Sequence, residues 1–223
     1  MCFSVEADLI AGVVVAGIGI DAVRHIDGRR EYWMIAPLPI LLGVHQIMEA
    51  FVWWGLEGKV ASWIGTLAMW AYLLLALVVL PILIPAMVLR LEPPGRRRWV
   101  IGSFLLLGTV VSAVLLATML AGHPSVALAS DHLKYSIGLG AGILWIGLYT
   151  LAICGSLIAS GLRTVMWFGI ANLAAIPILA KLCAEGFTSL WCFYAAILSA
   201  AIAVELRVTS RAVRTERSLA SSS

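Results

Sequence analysis

LPILLGVHQIMEAFVWW, residues Leu38 to Trp54, is long and apolar enough to cross a bilayer, yet it holds His45, Gln46 and Glu49 in mid-run. A carboxylate near the centre of a membrane helix costs about 2.5–3.5 kcal/mol on insertion scales, so it is normally paired, neutralised or used. Residues four apart share a helix face. His45 and Glu49 therefore point the same way, with Trp53 one turn further on.

The rest of the chain decides whether that stretch is a membrane helix. Of 223 residues, 62% are hydrophobic and only 12% charged, and the mean hydropathy is +1.01. Soluble chains are about 45–50% apolar and roughly 25% charged, which excludes an ordinary soluble domain. A spanning helix needs about 20 mainly apolar residues. Hydrophobic runs at 8–26, 33–56, 63–89, 98–121, 137–160, 164–184 and 188–208 predict seven. The expected fold is all-α, an integral membrane bundle of seven transmembrane helices over 1–210, followed by a polar, disordered tail at 211–223. The opening MCFSVEAD lacks the basic start and cleavage site of a signal peptide, so the first run is expected to stay as a helix. The third run carries Pro81 and Pro85, where a tilt or kink is expected because proline removes a backbone donor.

Basic residues orient the bundle. The connections after runs one, three and five, with the tail, hold all twelve arginines, whereas the opposite side has only Lys59, Lys134 and Lys181. Short loops rich in Arg and Lys stay in the cytoplasm, which places the amino terminus outside and the tail inside. Seven runs demand the same arrangement. Tyr32, Trp33 and Trp99 then fall at the inner boundary, and Trp53, Trp54, Trp63 and Trp191 at the outer one. LEPPGRRR at Leu91–Arg98 reads as a basic turn attracted to anionic lipid, and no nucleic-acid role is expected.

In that topology the reactive groups gather in the outer half. The connection from Ala121 to Ser136 is long enough to fold over the bundle mouth as a lid, lowering His132 toward His45 and Glu49. Cys2 starts near the same mouth, and Cys183 and Cys192 flank the outer turn between the last two runs. Thiolate, imidazole and carboxylate together suit zinc or copper, and a metal with an open position activates water. The metal reading takes Cys2, His45, His132 and Cys192 as ligands, with Glu49 as a ligand or the catalytic base. The alternative is an interhelical hydrogen-bonded pair of His45 with Glu49, joined by Lys181 or Asn172. Cys183 and Cys192 are either a disulfide or two apolar thiols.

MCFS at the start, PLPILLGVHQIMEAFVWWGLEG across the second run, HLKYSIGL before the fifth and GFTSLWCFYAAILS at the seventh together resemble an uncharacterised family of small bacterial membrane proteins. The resemblance covers most of the chain and implies a polytopic helical bundle, multi-pass in the bacterial cytoplasmic (inner) membrane. It carries no established activity. It directs attention to Cys2, Ser4, His45, Gln46, Glu49, His132, Tyr135, Ser189, Trp191 and Cys192. Alkaline ceramidases offer a fold-level analogy only, since this chain lacks an HxxxH pair on a late span. Microbial rhodopsins need a mid-span lysine in the last helix, and a bis-histidine haem needs a second deep histidine. Neither is present.

The leading expectation is thus an outward-facing pocket built from Ser4, Gln46, Trp53, Tyr135, Lys181 and Trp191 around His45 and Glu49. It would hold a transition metal for hydrolytic or redox chemistry on a small or lipid-like molecule. Two alternatives stand beside it: a transporter or channel for protons or a small charged solute, and a non-catalytic receptor or assembly subunit. The lipid bilayer is the one partner expected in every case, and the oligomeric state is open.

Overall fold

The structure is a computed structural model that describes residues 5–24, 33, 35–129, 132–182, 191–201 and 203–204. Among the described residues the chain is mostly helical, with seven helices. α1 runs Val5–Arg24, α2 Leu38–Leu56, α3 Ser62–Leu91 and α4 Arg96–Gly122. A hairpin of β1 (Ser125–Ala129) and β2 (His132–Ser136) follows, then α5 Gly142–Ile158, α6 Arg163–Leu182 and α7 Trp191–Ala201. Each helix falls on one of the seven hydrophobic runs. α3 and α4 are long and apolar enough to cross a membrane by length and composition, whereas α5 and α7 are shorter apolar helices. The tail at 211–223 lies outside the described residues.

α1 buries Val5, Asp8, Gly12, Val15, Gly19 and Ala22. Their spacing alternates between three and four, which makes a single stripe along the helix. The other side shows Ile10, Val13, Val14 and Ile20 at the surface. α2 accommodates Pro39 in its first turn, where no intrahelical donor is lost, and buries a much wider face. The two helices meet backbone to backbone. A Cβ at Gly43 would lie 2.6 Å from the Ala16 nitrogen, and one at Gly12 would lie 2.7 Å from the Gly43 oxygen. Small residues allow such close approach between helices in apolar surroundings.

α3 answers its prolines with a widened turn. Leu74–Val79 is π-helical, so the irregularity sits just before Pro81. In that register the Leu80 N–H donates to the Leu75 carbonyl, five residues back. The next carbonyl, Ala76, is then aligned with Pro81, which has no N–H to give. Side chains of other helices reach carbonyls in and beside this turn. The Tyr149 hydroxyl of α5 donates to Ala76 O at 2.7 Å, and Ser112 of α4 donates to Val78 O at 2.8 Å. His45 Nε2 of α2 lies 3.2 Å from Tyr72 O, two residues before the widened turn. Irregular backbone at membrane depth is tolerated where neighbours re-satisfy it in this way.

Two large apolar cores and a small alanine cluster (Ala22, Ala36, Ala203) fill the bundle. One joins Leu42, Ile84, Val88, Ile101, Ile153, Phe168 and their neighbours. The other gathers the start of α1, the end of α2, the start of α3 and the end of α4 around Val5, Trp53, Met69, Tyr72 and Met119. Leu133 of the hairpin belongs to this second core and is 1% exposed. The connection expected as a lid loop is thus an antiparallel hairpin, with Val126 opposite Tyr135 and Leu128 opposite Leu133. Strand alternation explains its docking: Leu133 and Tyr135 turn inward, while Lys134 and Ser136 are exposed.

At the opposite end LEPPGRRR is stitched to the α5–α6 turn. Glu92 is buried, and its Oε2 accepts the Gly161 N–H at 2.9 Å. Arg98 donates to the carbonyls of Leu89 and Glu92, each at 2.9 Å.

Candidate functional site

His45, Gln46 and Glu49 are each fully buried. Spacings of one, three and four on α2 put all three on its wide inward face, toward α1, α3 and the hairpin. The two ring systems beside them form a stack. His45 lies on Tyr72 with ring centres 4.0 Å apart and planes 20° from parallel. Tyr72 in turn stacks on Tyr135 of β2 at 4.9 Å and 14°. The stack runs from the bundle interior to the hairpin and ends beside Glu49, whose Oε1 accepts the Tyr135 hydroxyl at 3.4 Å. Burial first, and the Glu49 carboxylate second, hold the Tyr135 phenol well above the usual tyrosine range.

Asp8 joins this centre from α1. It is fully buried, faces the Trp53 indole and lies within electrostatic reach of both Tyr72 and Tyr135. No donor among the described residues reaches hydrogen-bonding geometry with either of its oxygens. The same holds for both polar atoms of the Gln46 amide and for His45 Nδ1. Buried polar atoms without a partner are uncommon in native proteins, and a bound water, ion or ligand usually accounts for them. Cys192 closes the centre from α7, its thiol free and turned toward the Tyr72 hydroxyl.

A cavity of about 390 Å³ adjoins the centre, in the range of small-molecule sites. Tyr135 and Cys192 form its wall on the side of the polar residues, and Trp145, Tyr149 and Trp191 line it with rings. Tyr149 and Trp191 meet edge to face at 5.5 Å. No charged side chain is among the described lining residues.

The expected site residues divide accordingly. Gln46, Glu49, Trp53, Tyr135 and Cys192 come together around His45, and Trp191 lines the adjoining cavity. Trp53 is 6% exposed and faces Asp8, so it serves the interior and not the boundary belt. Trp33, Trp63 and Trp99 are exposed as that belt requires. Lys181 is exposed in the last turn of α6 and so is not part of the buried centre. Asn172 satisfies its amide on the Phe168 carbonyl of its own helix at 2.8 Å. His132 lies on the strand face of Lys134 and Ser136, opposite the one that carries Tyr135 inward. Among the described residues no three His, Cys, Asp or Glu side chains form a metal-holding group. Cys2, Ser4, Asp131, Cys183 and Ser189 lie outside the described residues.

Asp8, Tyr72 and Tyr149 were not nominated from sequence. Asp8 had a readable signal, because it shares the three-and-four stripe of Gly12 and Gly19, the small residues on which α2 packs. Tyr72 and Tyr149 had none, since each is a single aromatic in an apolar run.

Neither the curated proteins nor the solved structures offer a match. A family of unknown function, DUF6629, matches residues 1–218, in keeping with the resemblance carried by the four quoted stretches, and the chain belongs to that family.

Proposed function

We propose that the chain is a multi-pass membrane protein, its tail in the cytoplasm, whose outer half holds an acid–base centre acting on a small molecule in the adjoining cavity. Support for the membrane reading comes from the apolar outer faces of the helices. Val13, Leu67, Leu106, Leu120, Ile143 and Ile178 are each more than half exposed, and apolar surface on that scale marks contact with membrane or protein. The arginine asymmetry supports the orientation.

The observation that carries the acid–base reading is the position of Tyr135, which lines the cavity and donates to the buried Glu49. A hydroxyl bound in the cavity can pass its proton to the Tyr135 oxygen as the Tyr135 proton moves to Glu49. The products are a neutral carboxyl and an activated oxygen nucleophile. The 3.4 Å separation is at the long end for such a transfer, and bonds of this kind tighten once the substrate is bound. Infrared spectra test this. A carboxylate band should be present in the native protein, vanish in Glu49→Gln and shift in Tyr135→Phe. A spectrum unchanged by Glu49→Gln removes the proposal.

A second reading, transport of protons or a small charged solute, draws on the buried Asp8 and Gln46, whose oxygens meet no donor in hydrogen-bonding geometry among the described residues. It predicts flux into proteoliposomes that stops in Asp8→Asn, and undiminished flux in that variant rejects it.

A further inference from the structure

We infer that the cavity beside Tyr135 admits an uncharged, hydroxyl-bearing amphiphile sideways from the outer leaflet, with its hydroxyl donating to the Tyr135 oxygen and its tail left in the bilayer. This rests on the membrane reading and names the molecule on which the acid–base centre would act.

Four observations lead there. The cavity opens between the end of the hairpin and the first turns of α5, where the lining residues Ser136, Gly138 and Ile146 are exposed and Gly142 is half-buried. The neighbouring Ile143 and Leu144 are 90% and 58% exposed. In a membrane those side chains face hydrocarbon, so a molecule reaches the opening from lipid. The volume sets the second limit. At about 30 Å³ for each water, 390 Å³ holds roughly a dozen heavy atoms, which is a head group and the start of a chain.

Charge sets the third. The described lining offers no cation to a phosphate, and the Glu49 carboxylate lies just beyond Tyr135, within hydrogen-bonding distance of its hydroxyl. An anionic head would be desolvated against like charge, which is unfavourable on both counts. Hydrogen-bond direction sets the fourth. Tyr135 spends its own proton on Glu49, leaving an oxygen lone pair for the cavity side. That lone pair takes a donor, which an alcohol has and an ether lacks.

The test uses the full chain in phosphatidylcholine vesicles with a brominated 1,2-diacylglycerol as probe, read as quenching of the cavity tryptophans. Quenching should saturate, lose part of its saturable amplitude in Trp145→Phe, and be reversed by unlabelled diacylglycerol but not by phosphatidylglycerol. The 3-O-methyl ether of the probe should bind about fivefold more weakly, the equivalent of one net hydrogen bond, and Tyr135→Phe should erase that difference. Gly142→Trp should abolish saturation. A Cβ there meets open space, so the fold has no reason to yield, and Ile146→Trp provides a second block should expression fail. Unsaturable quenching, equal displacement by phosphatidylglycerol, or equal binding of alcohol and ether each overturns the inference. Glu49→Gln separates the two readings. Saturable binding with no Glu49-dependent infrared band rejects the acid–base centre alone, and that band without saturable binding rejects the amphiphile alone.

Discussion

Tyr149→Phe isolates one hydroxyl at the widened turn of α3. The ring stays, and with it the edge-to-face contact with Trp191. The 2.7 Å bond to Ala76 O is lost. That carbonyl has no other donor in line, because the π register aligns it with Pro81, and Ala76 is only 1% exposed. A net hydrogen bond contributes about 1 kcal/mol, and leaving a buried acceptor unsatisfied adds to the loss. Interhelical bonds in membranes fall somewhat lower on average, about 0.6 kcal/mol with a maximum near 1.7. The expected cost is therefore about 1–2 kcal/mol, which at 2–4 °C per kcal/mol for a chain of this size lowers Tm by about 2–8 °C. Thermal unfolding in detergent, followed by tryptophan fluorescence, measures it. The decisive comparison is with Pro81→Ala, which restores a backbone N–H opposite the same carbonyl. In that background Tyr149→Phe should cost about 1 kcal/mol less, a coupling of the size seen between residues sharing one network. A Tm for Tyr149→Phe equal to that of the native protein, or equal costs in the two backgrounds, refutes the account of the turn.

Three further outcomes are expected. Gly43→Leu forces α1 and α2 apart, since even its Cβ would lie 2.6 Å from the Ala16 nitrogen; overpacking of this kind costs about 1–3 kcal/mol or more. Monodisperse protein on size exclusion should fall sharply, whereas Gly17→Leu, which meets open space, should match the native yield. Glu92→Ala strands the Gly161 N–H and should lower stability by about 1–3 kcal/mol, while Glu92→Gln keeps an acceptor and should lose less in the same melt. The Tyr135 phenol should stay neutral through the range near pH 10 where ordinary tyrosines ionise, seen as a missing step in ultraviolet titration against Tyr135→Phe. Because its folded value is raised, the stability it contributes is fully present below about pH 10 and is lost as pH climbs through that raised value. Removing the charge in Glu49→Gln should bring the step down.

Much of this architecture is legible from hydrophobic runs. A helix satisfies its own backbone, so twenty apolar residues predict one without reference to any neighbour, and α1 through α7 each fall where a run lies. Four-residue spacing likewise placed His45 and Glu49 on a shared face. The hairpin was less readable. Ser125–Ala129 and His132–Ser136 are five residues each, too short for periodicity to stand out, and their pairing is decided by the bundle mouth that buries Leu133. Donor chemistry gives no direction to His132, and strand alternation sets it on the face opposite Tyr135.

From the chain alone came the apolar helices, the asymmetry of the arginines and a buried imidazole with a carboxylate one turn away. These are properties of composition and helical period, and they hold whichever helices become neighbours. Tertiary structure decided the company those groups keep: Asp8 from α1, the Tyr72–Tyr135 stack, Cys192 from α7, and a tyrosine standing in for the N–H that Pro81 lacks. Such contacts join residues far apart in the chain, 86 positions between Glu49 and Tyr135, and depend on which helices pack and at what depth. No local pattern encodes that choice, because it follows from the fit of glycine-lined surfaces against each other.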